Sequence, residues 1–196
     1  MKKQSVLSRL MGYAGKHRYF TYASWLLAAI SALIALLPFV YIWKIIKEVL
    51  YVAPDFSSAT GLVHNGIMAM VFAIASFLIY ICALMCSHLA AFRVATNMRI
   101  AVTEHIAKLP LGFADSFGSG KLRKIINDST GATETYLAHQ LPDKYAAIAT
   151  PIGLLALLFI FDWRLGLLSL IPVVLAFLAM SSMTGKHMAE KMKQYN

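Results

Sequence analysis

Charge is scarce in this sequence, and its scarcity excludes most soluble folds. Only 14% of the 196 residues are charged, where soluble domains carry about 25%. Acidic residues are rarer still, 9 Asp and Glu against 18 Lys and Arg. Residues 19–43, 56–92, 145–161 and 165–185 contain no Asp, Glu, Lys or Arg at all. A soluble domain sets polar faces against apolar ones, so charge-free runs of this length exclude an ordinary globular core. A charged side chain inside a membrane marks an ion pathway, and the lack of Asp, Glu, Lys and Arg in these runs argues against proton- or sodium-coupled transport. Cysteine is limited to Cys82 and Cys86, four residues apart in one apolar run. They read as packing residues rather than a disulfide or a zinc pair. The N-terminus lacks a secretory signal, because the apolar run starts late and no small-residue cleavage site follows it. No nucleophile–base pair or carboxylate dyad is readable, so no catalytic residue is assigned.

What the chain does have is apolar length. The hydrophobic fraction is 59% and the mean hydropathy +0.66. A bilayer core needs about 20 apolar residues in a helix, with a range of roughly 17 to 25. The run at 145–161 reaches the lower end of that range and the others clear it. Long loops and missing alternation exclude a barrel, so helices are the spanning elements. The expected architecture is an all-α integral membrane protein with spanning helices at about 19–47, 62–109, 121–161 and 164–196. All basic residues except Lys44, Lys47 and Arg164 fall on one side of that arrangement. The positive-inside tendency makes this side cytoplasmic and places both chain ends there, in a multi-pass protein of the cell (inner) membrane. The bilayer is the first partner. The charges do not cluster on a soluble face, so nucleic acid is not expected to be one.

Local patterns refine this outline. Leu7, Leu10, Met11 and Ala14 recur at helical spacing among basic residues, which predicts an amphipathic helix within residues 1–18 lying on the inner leaflet. Pro38 should kink the first spanning helix near its outer end, with an outer loop over 48–66. From Arg93 to Leu109 neither Pro nor Gly occurs, and Val94, Met98, Ala101, His105 and Leu109 share a face. Helix two should therefore run unbroken to the Leu109-Pro110 stop. At 1.5 Å per residue it is about 70 Å long, against about 30 Å of hydrocarbon, so it should project tens of ångströms into the cytoplasm. The chain returns through 121–139, with Leu122, Ile125 and Ile126 set against Lys121, Arg123, Lys124, Asp128 and Glu134. Asp162-Trp163-Arg164 forms a tight outer hairpin. Helix four, with Pro172, runs on into 186–196 without a stop signal. Ala28, Ala29, Ser31, Ala32, Ala69, Ala73 and Ala75 allow close helix approach. His64 and His88 bracket helix two, and Met180, Met183, Met188 and Met192 recur on helix four. Soft sulfur ligands would suit copper, but methionine is an ordinary gap-filler, and no metal site is assigned.

Two of these segments carry a family resemblance. Met98-Arg99, His105, Leu109-Pro110, Phe113, Gly118-Ser119-Gly120-Lys121-Leu122 and Ile126-Asn127-Asp128 resemble, in order, the first intracellular loop of ATP-binding cassette exporters. Phe161-Asp162-Trp163-Arg164-Leu165-Gly166-Leu167 with Pro172 is similar to the connection between helices three and four of that family. The resemblance covers essentially the whole chain. It implies that residues 19–196 are a partial exporter-type transmembrane domain, the first four of six helices of a longer protein. It further implies a nucleotide-binding domain on the same or a separate chain, and a second transmembrane domain as homo- or heterodimer. Within a coupling helix at about 111–118, it assigns Phe113, Ala114, Asp115, Ser116, Phe117 and Gly118 to the contact with the nucleotide-binding domain. Phe113 and Phe117, four residues apart, would be the anchors of a knob at the tip of a rigid lever. ATP and Mg are implied for that other domain alone. Around Gly120-Lys121 a Walker A motif would need Gly where Asp115 stands and Ser or Thr where Leu122 stands, so no cofactor is expected in this chain. The reading from a different class is a self-contained four-helix membrane protein acting as a non-catalytic binding or assembly partner.

Overall fold

The structure, a computed structural model, describes residues 6–110, 112, 116 and 118–183. Among them the backbone is helical almost throughout, and no strand occurs. Helix α1 (Val6–Ala14) passes through a 3₁₀ turn (Gly15–His17) into α2 (Arg18–Ile34), and α3 (Leu37–Val52) follows. Then come α4 (Leu62–Ala107), α5 (Ser119–Thr135), a π-helical turn (Tyr136–Gln140), α6 (Leu141–Phe161) and α7 (Trp163–Met183). Among the described residues four helical stretches are long and apolar enough to cross a membrane: Leu7–Val52, Leu62–Ala107, Ser119–Phe161 and Trp163–Ser181. The chain divides into two compact units between Thr150 and Pro151.

In the first unit, Pro38 does more than bend a helix. It has no N–H to donate, and its ring excludes the carbonyl four residues back, so α2 closes at Ile34 and α3 reopens with Pro38 in its first turn. The step is tight, with the Leu36 N–H donating to the Leu33 carbonyl at 3.2 Å. Helix α3 continues to Val52, past the start of the loop expected at 48–66. Its cations are absorbed by aromatic faces: Lys44 Nζ lies 4.7 Å from the Tyr41 ring centre and Lys47 Nζ 5.1 Å from that of Trp43. Glu48 Oε1 accepts the Gly61 N–H at 2.7 Å, tying α3 to the start of α4. Between them Asp55 accepts from the Ser57 N–H, and the Ala53–Pro54 bond is cis.

Helices α2 and α4 meet along small side chains. Thr21, Ser24, Trp25, Ala28 and Ser31 are the buried residues of α2, and Ser76, Ala83, Ser87, Ala90, Ala91, Val94 and Ala95 those of α4. Most of these side chains are Ala or Ser, which lets the backbones approach closely, as helices associating in lipid do. The Ser31 hydroxyl crosses the seam to the Ser76 carbonyl at 2.8 Å. The predicted amphipathic helix is present as α1, but its apolar side faces protein. Ala14 is buried with Trp25, Ala91, Val94, Leu137, Ala138 and Leu141, and Leu7 and Met11 pack against that cluster. The Asn97 amide donates to the Tyr13 carbonyl at 2.8 Å, adding a polar tie to α4. The opposite faces are apolar and open, with Phe39, Ile46, Val63, Phe77 and Met85 exposed, as a lipid-facing surface requires. Cys82 stands on that open surface while Cys86 is half-buried, so Cys82 is not part of the packed seam.

The second unit contains the hairpin expected around Asp162. Asp162 alone separates α6 from α7, and its Oδ1 accepts the Arg164 N–H at 2.8 Å as a helix cap. The Arg164 guanidinium lies 5.6 Å from the Trp163 ring centre. A Cβ on Gly166 would stand 2.7 Å from the Phe159 ring, so the hairpin closes only over glycine.

Candidate functional site

Helix α4 has 46 residues and is about 69 Å long at 1.5 Å per residue, more than twice the hydrocarbon thickness of about 30 Å. Its C-terminal half pairs with α5 running the other way. A ladder of cross-helix contacts tracks the pairing. Arg99 Nε donates to Thr130 Oγ1 at 3.0 Å, and an Arg99 terminal nitrogen lies 3.9 Å from Glu134 Oε2. That ion pair is long and partly exposed, so it contributes at most about 1 kcal/mol. The Ser87 hydroxyl reaches the Ala138 carbonyl at 2.7 Å, and the Tyr80 hydroxyl donates to Asp143 Oδ1 at 2.8 Å. From α2, Trp25 stacks on Tyr145 at 4.7 Å between ring centres. Near the tip, Arg99, Thr103, Ile106, Leu122, Arg123 and Ile126 line a cleft of about 380 Å³ between α4 and α5.

The middle of the ladder follows from Pro142. Lacking an N–H, Pro142 leaves the Ala138 carbonyl without its helical donor. The helix widens there, and the Leu141 N–H bonds back to the Tyr136 carbonyl in the π pattern. Leu137 and Ala138 are buried at this turn, where a bare carbonyl would be costly. Ser87, itself buried, supplies the missing proton from α4. The next residues along α4 and along the π turn, His88 and His139, then meet with ring centres 4.8 Å apart and planes at 81°.

At the tip, α4 ends at Ala107, three residues before Pro110. Of the residues assigned by resemblance to the coupling contact, Phe113, Ala114, Asp115 and Phe117 lie outside the described residues. Ser116 is exposed. Gly118 caps α5 with φ +73° and ψ 136°, a backbone state that suits glycine. Ser119, Gly120 and Lys121 thus lie in the first turn of α5. Among the described residues no group of three or more His, Cys, Asp or Glu is placed to hold a metal. His64 and Met180 are exposed, and Met188 and Met192 lie outside the described residues.

Sequence reading passed over the Ser87–Ala138 bond, the π turn, and the Tyr80–Asp143 and Trp25–Tyr145 pairs. The signal was available in part. Ser24, Ser31, Ser76 and Ser87 punctuate runs that are otherwise apolar, and a hydroxyl there seeks a protein partner. Which carbonyl each one meets is set by helix register and cannot be read along the chain.

Comparison with known proteins agrees with this geometry. The family described as ABC transporter transmembrane region matches residues 21–196. The mycobactin import ATP-binding/permease protein IrtA of Mycolicibacterium smegmatis is 32% identical over 162 residues, covering 82% of this chain and 18% of that protein. The protein of the same name from Mycobacterium tuberculosis is 36% identical over 97 residues, covering 50% of this chain and 11% of that protein. The chain therefore spans less than a fifth of the length of these relatives. With the family matched over nearly its whole length and its helices long enough to span a bilayer and continue beyond it, the chain belongs to the ABC transporter transmembrane region family and is a multi-pass membrane protein.

Proposed function

We propose that this chain forms part of the substrate pathway of an ATP-driven transporter and passes mechanical force between that pathway and a nucleotide-binding domain. The observation that carries the reading is the excess length of α4 and its antiparallel pairing with α5, since a paired rod longer than the bilayer is a lever. The distribution of basic residues supports a cytoplasmic lever tip and cytoplasmic chain ends. Residues 111–118 dock at the tip on the nucleotide-binding domain, with Phe113 and Phe117 as anchors. ATP and Mg are held by that domain, and two transmembrane domains pair around the pathway. Closure of the nucleotide-binding domains moves the levers and exchanges access between the two membrane faces. The names of the relatives say mycobactin import, which supports mycobactin or a compound like it as cargo. In the full-length protein, Phe113→Ala with Phe117→Ala should leave ATP hydrolysis running while transport falls at least ten-fold. Unchanged transport in that double variant removes the coupling role.

A further inference from the structure

We propose that His88 and His139 form a two-imidazole site for a transition-metal dication of the zinc or copper class, bridging α4 to the π turn. A metal bound to imidazole nitrogen at about 2.0–2.1 Å lies about 3.2 Å from the ring centre, so two imidazoles on one ion at tetrahedral or right angles have centres about 4.5–5.2 Å apart. The two rings stand 4.8 Å apart and nearly perpendicular, within that range before any ion enters.

Their placement is held by the scaffold. His88 follows Ser87 and His139 follows Ala138, and the Ser87–Ala138 bond of 2.7 Å pins both backbones beside the rings. The π turn shifts helical register by about one residue, or about 100° of rotation, which turns His139 towards α4. Phe92 covers one side of His88 at 5.6 Å between ring centres. Entry is open, because His139 is exposed and His88 half-buried. Both stand close to where the apolar runs give way to charge at Arg93 and Lys144, within reach of water. Two neutral nitrogen donors without a carboxylate favour zinc or copper over magnesium or calcium. Among the described residues no third His, Cys, Asp or Glu joins the pair, so positions on the ion remain for water or for an oxygen chelate carried by a substrate. The site thereby adds to the transport reading without depending on it.

The test is copper(II) binding to the intact, tag-free protein in lipid nanodiscs, read by electron paramagnetic resonance. Wild-type protein should take up one ion at micromolar concentration with hyperfine structure from two imidazole nitrogens. Its difference spectrum against His88→Gln, and separately against His139→Gln, should carry that whole signal, while His64→Gln retains it. The affinity of this site should fall at least ten-fold in either variant. The wild-type spectrum stands even where a variant folds poorly. A wild-type signal without two-nitrogen coupling, or one that survives either substitution, overturns the proposal and leaves the pair as an edge-to-face ring contact.

Discussion

Replacing Ser87 by alanine removes the proton that serves the Ala138 carbonyl, and the cost can be worked from the local geometry. The Ser87 hydroxyl has one hydrogen and two acceptors in reach, Ala138 at 2.7 Å and Leu84 at 2.8 Å. The Leu84 carbonyl lies inside α4 and keeps its helical donor, so only Ala138 is orphaned. Leaving a buried acceptor unpaired costs about 1–3 kcal/mol, while side-chain hydrogen bonds measured in membrane proteins average about 0.6 and reach about 1.7 kcal/mol. Ala138 is sealed in protein, with 1% exposure, so the expected loss is about 1–2 kcal/mol. Pro142→Ala supplies an N–H four residues on from Ala138 and offers that carbonyl an ordinary helical partner. In that background Ser87→Ala should cost no more than about 0.5 kcal/mol, giving a coupling of about 1 kcal/mol. Reversible unfolding by SDS in mixed micelles, followed by far-ultraviolet circular dichroism, measures all four corners of the cycle. Equal cost of Ser87→Ala in both backgrounds, or no cost in the wild type, would refute the link between proline, π turn and serine.

Two glycines give further predictions. Gly118→Ala forces an L-residue to φ +73°, which costs about 1–3 kcal/mol; the variant's thermal midpoint should drop, whereas Gly120→Ala, with open space around it and no positive φ, should not lower it. Gly166→Val drives a side chain into the Phe159 ring and should destabilise by about 1–3 kcal/mol. Adding Phe159→Ala should return much of that loss, and a double variant no better than Gly166→Val would mean the hairpin is not limited by this contact.

The spanning helices were legible along the chain because a bilayer imposes length and apolarity on consecutive residues. Leu109-Pro110 and the run of helix formers before it announced where α4 stops, and Asp162-Trp163-Arg164 announced the tight hairpin between α6 and α7. The family motifs pointed to the coupling segment, whose Phe113 and Phe117 lie outside the described residues and whose role stays with the proposal. The sequence by itself determined everything that depends on neighbours in the chain: helix type, helix length, the breaks at Pro38 and Pro110, and the polarity of each segment. Tertiary structure decided what depends on register between helices. It set the apolar face of α1 against Trp25 and Leu137, brought Ser87 to the carbonyl that Pro142 leaves bare, and closed His88 on His139 across 51 positions counted from Ser87 to Ala138. The physical reason is that a helix turns by about 100° per residue, so a single widened turn at Tyr136–Gln140 re-aims the side chains at it. Local sequence contains the proline that permits the turn, but only the packed partner fixes where the turn points.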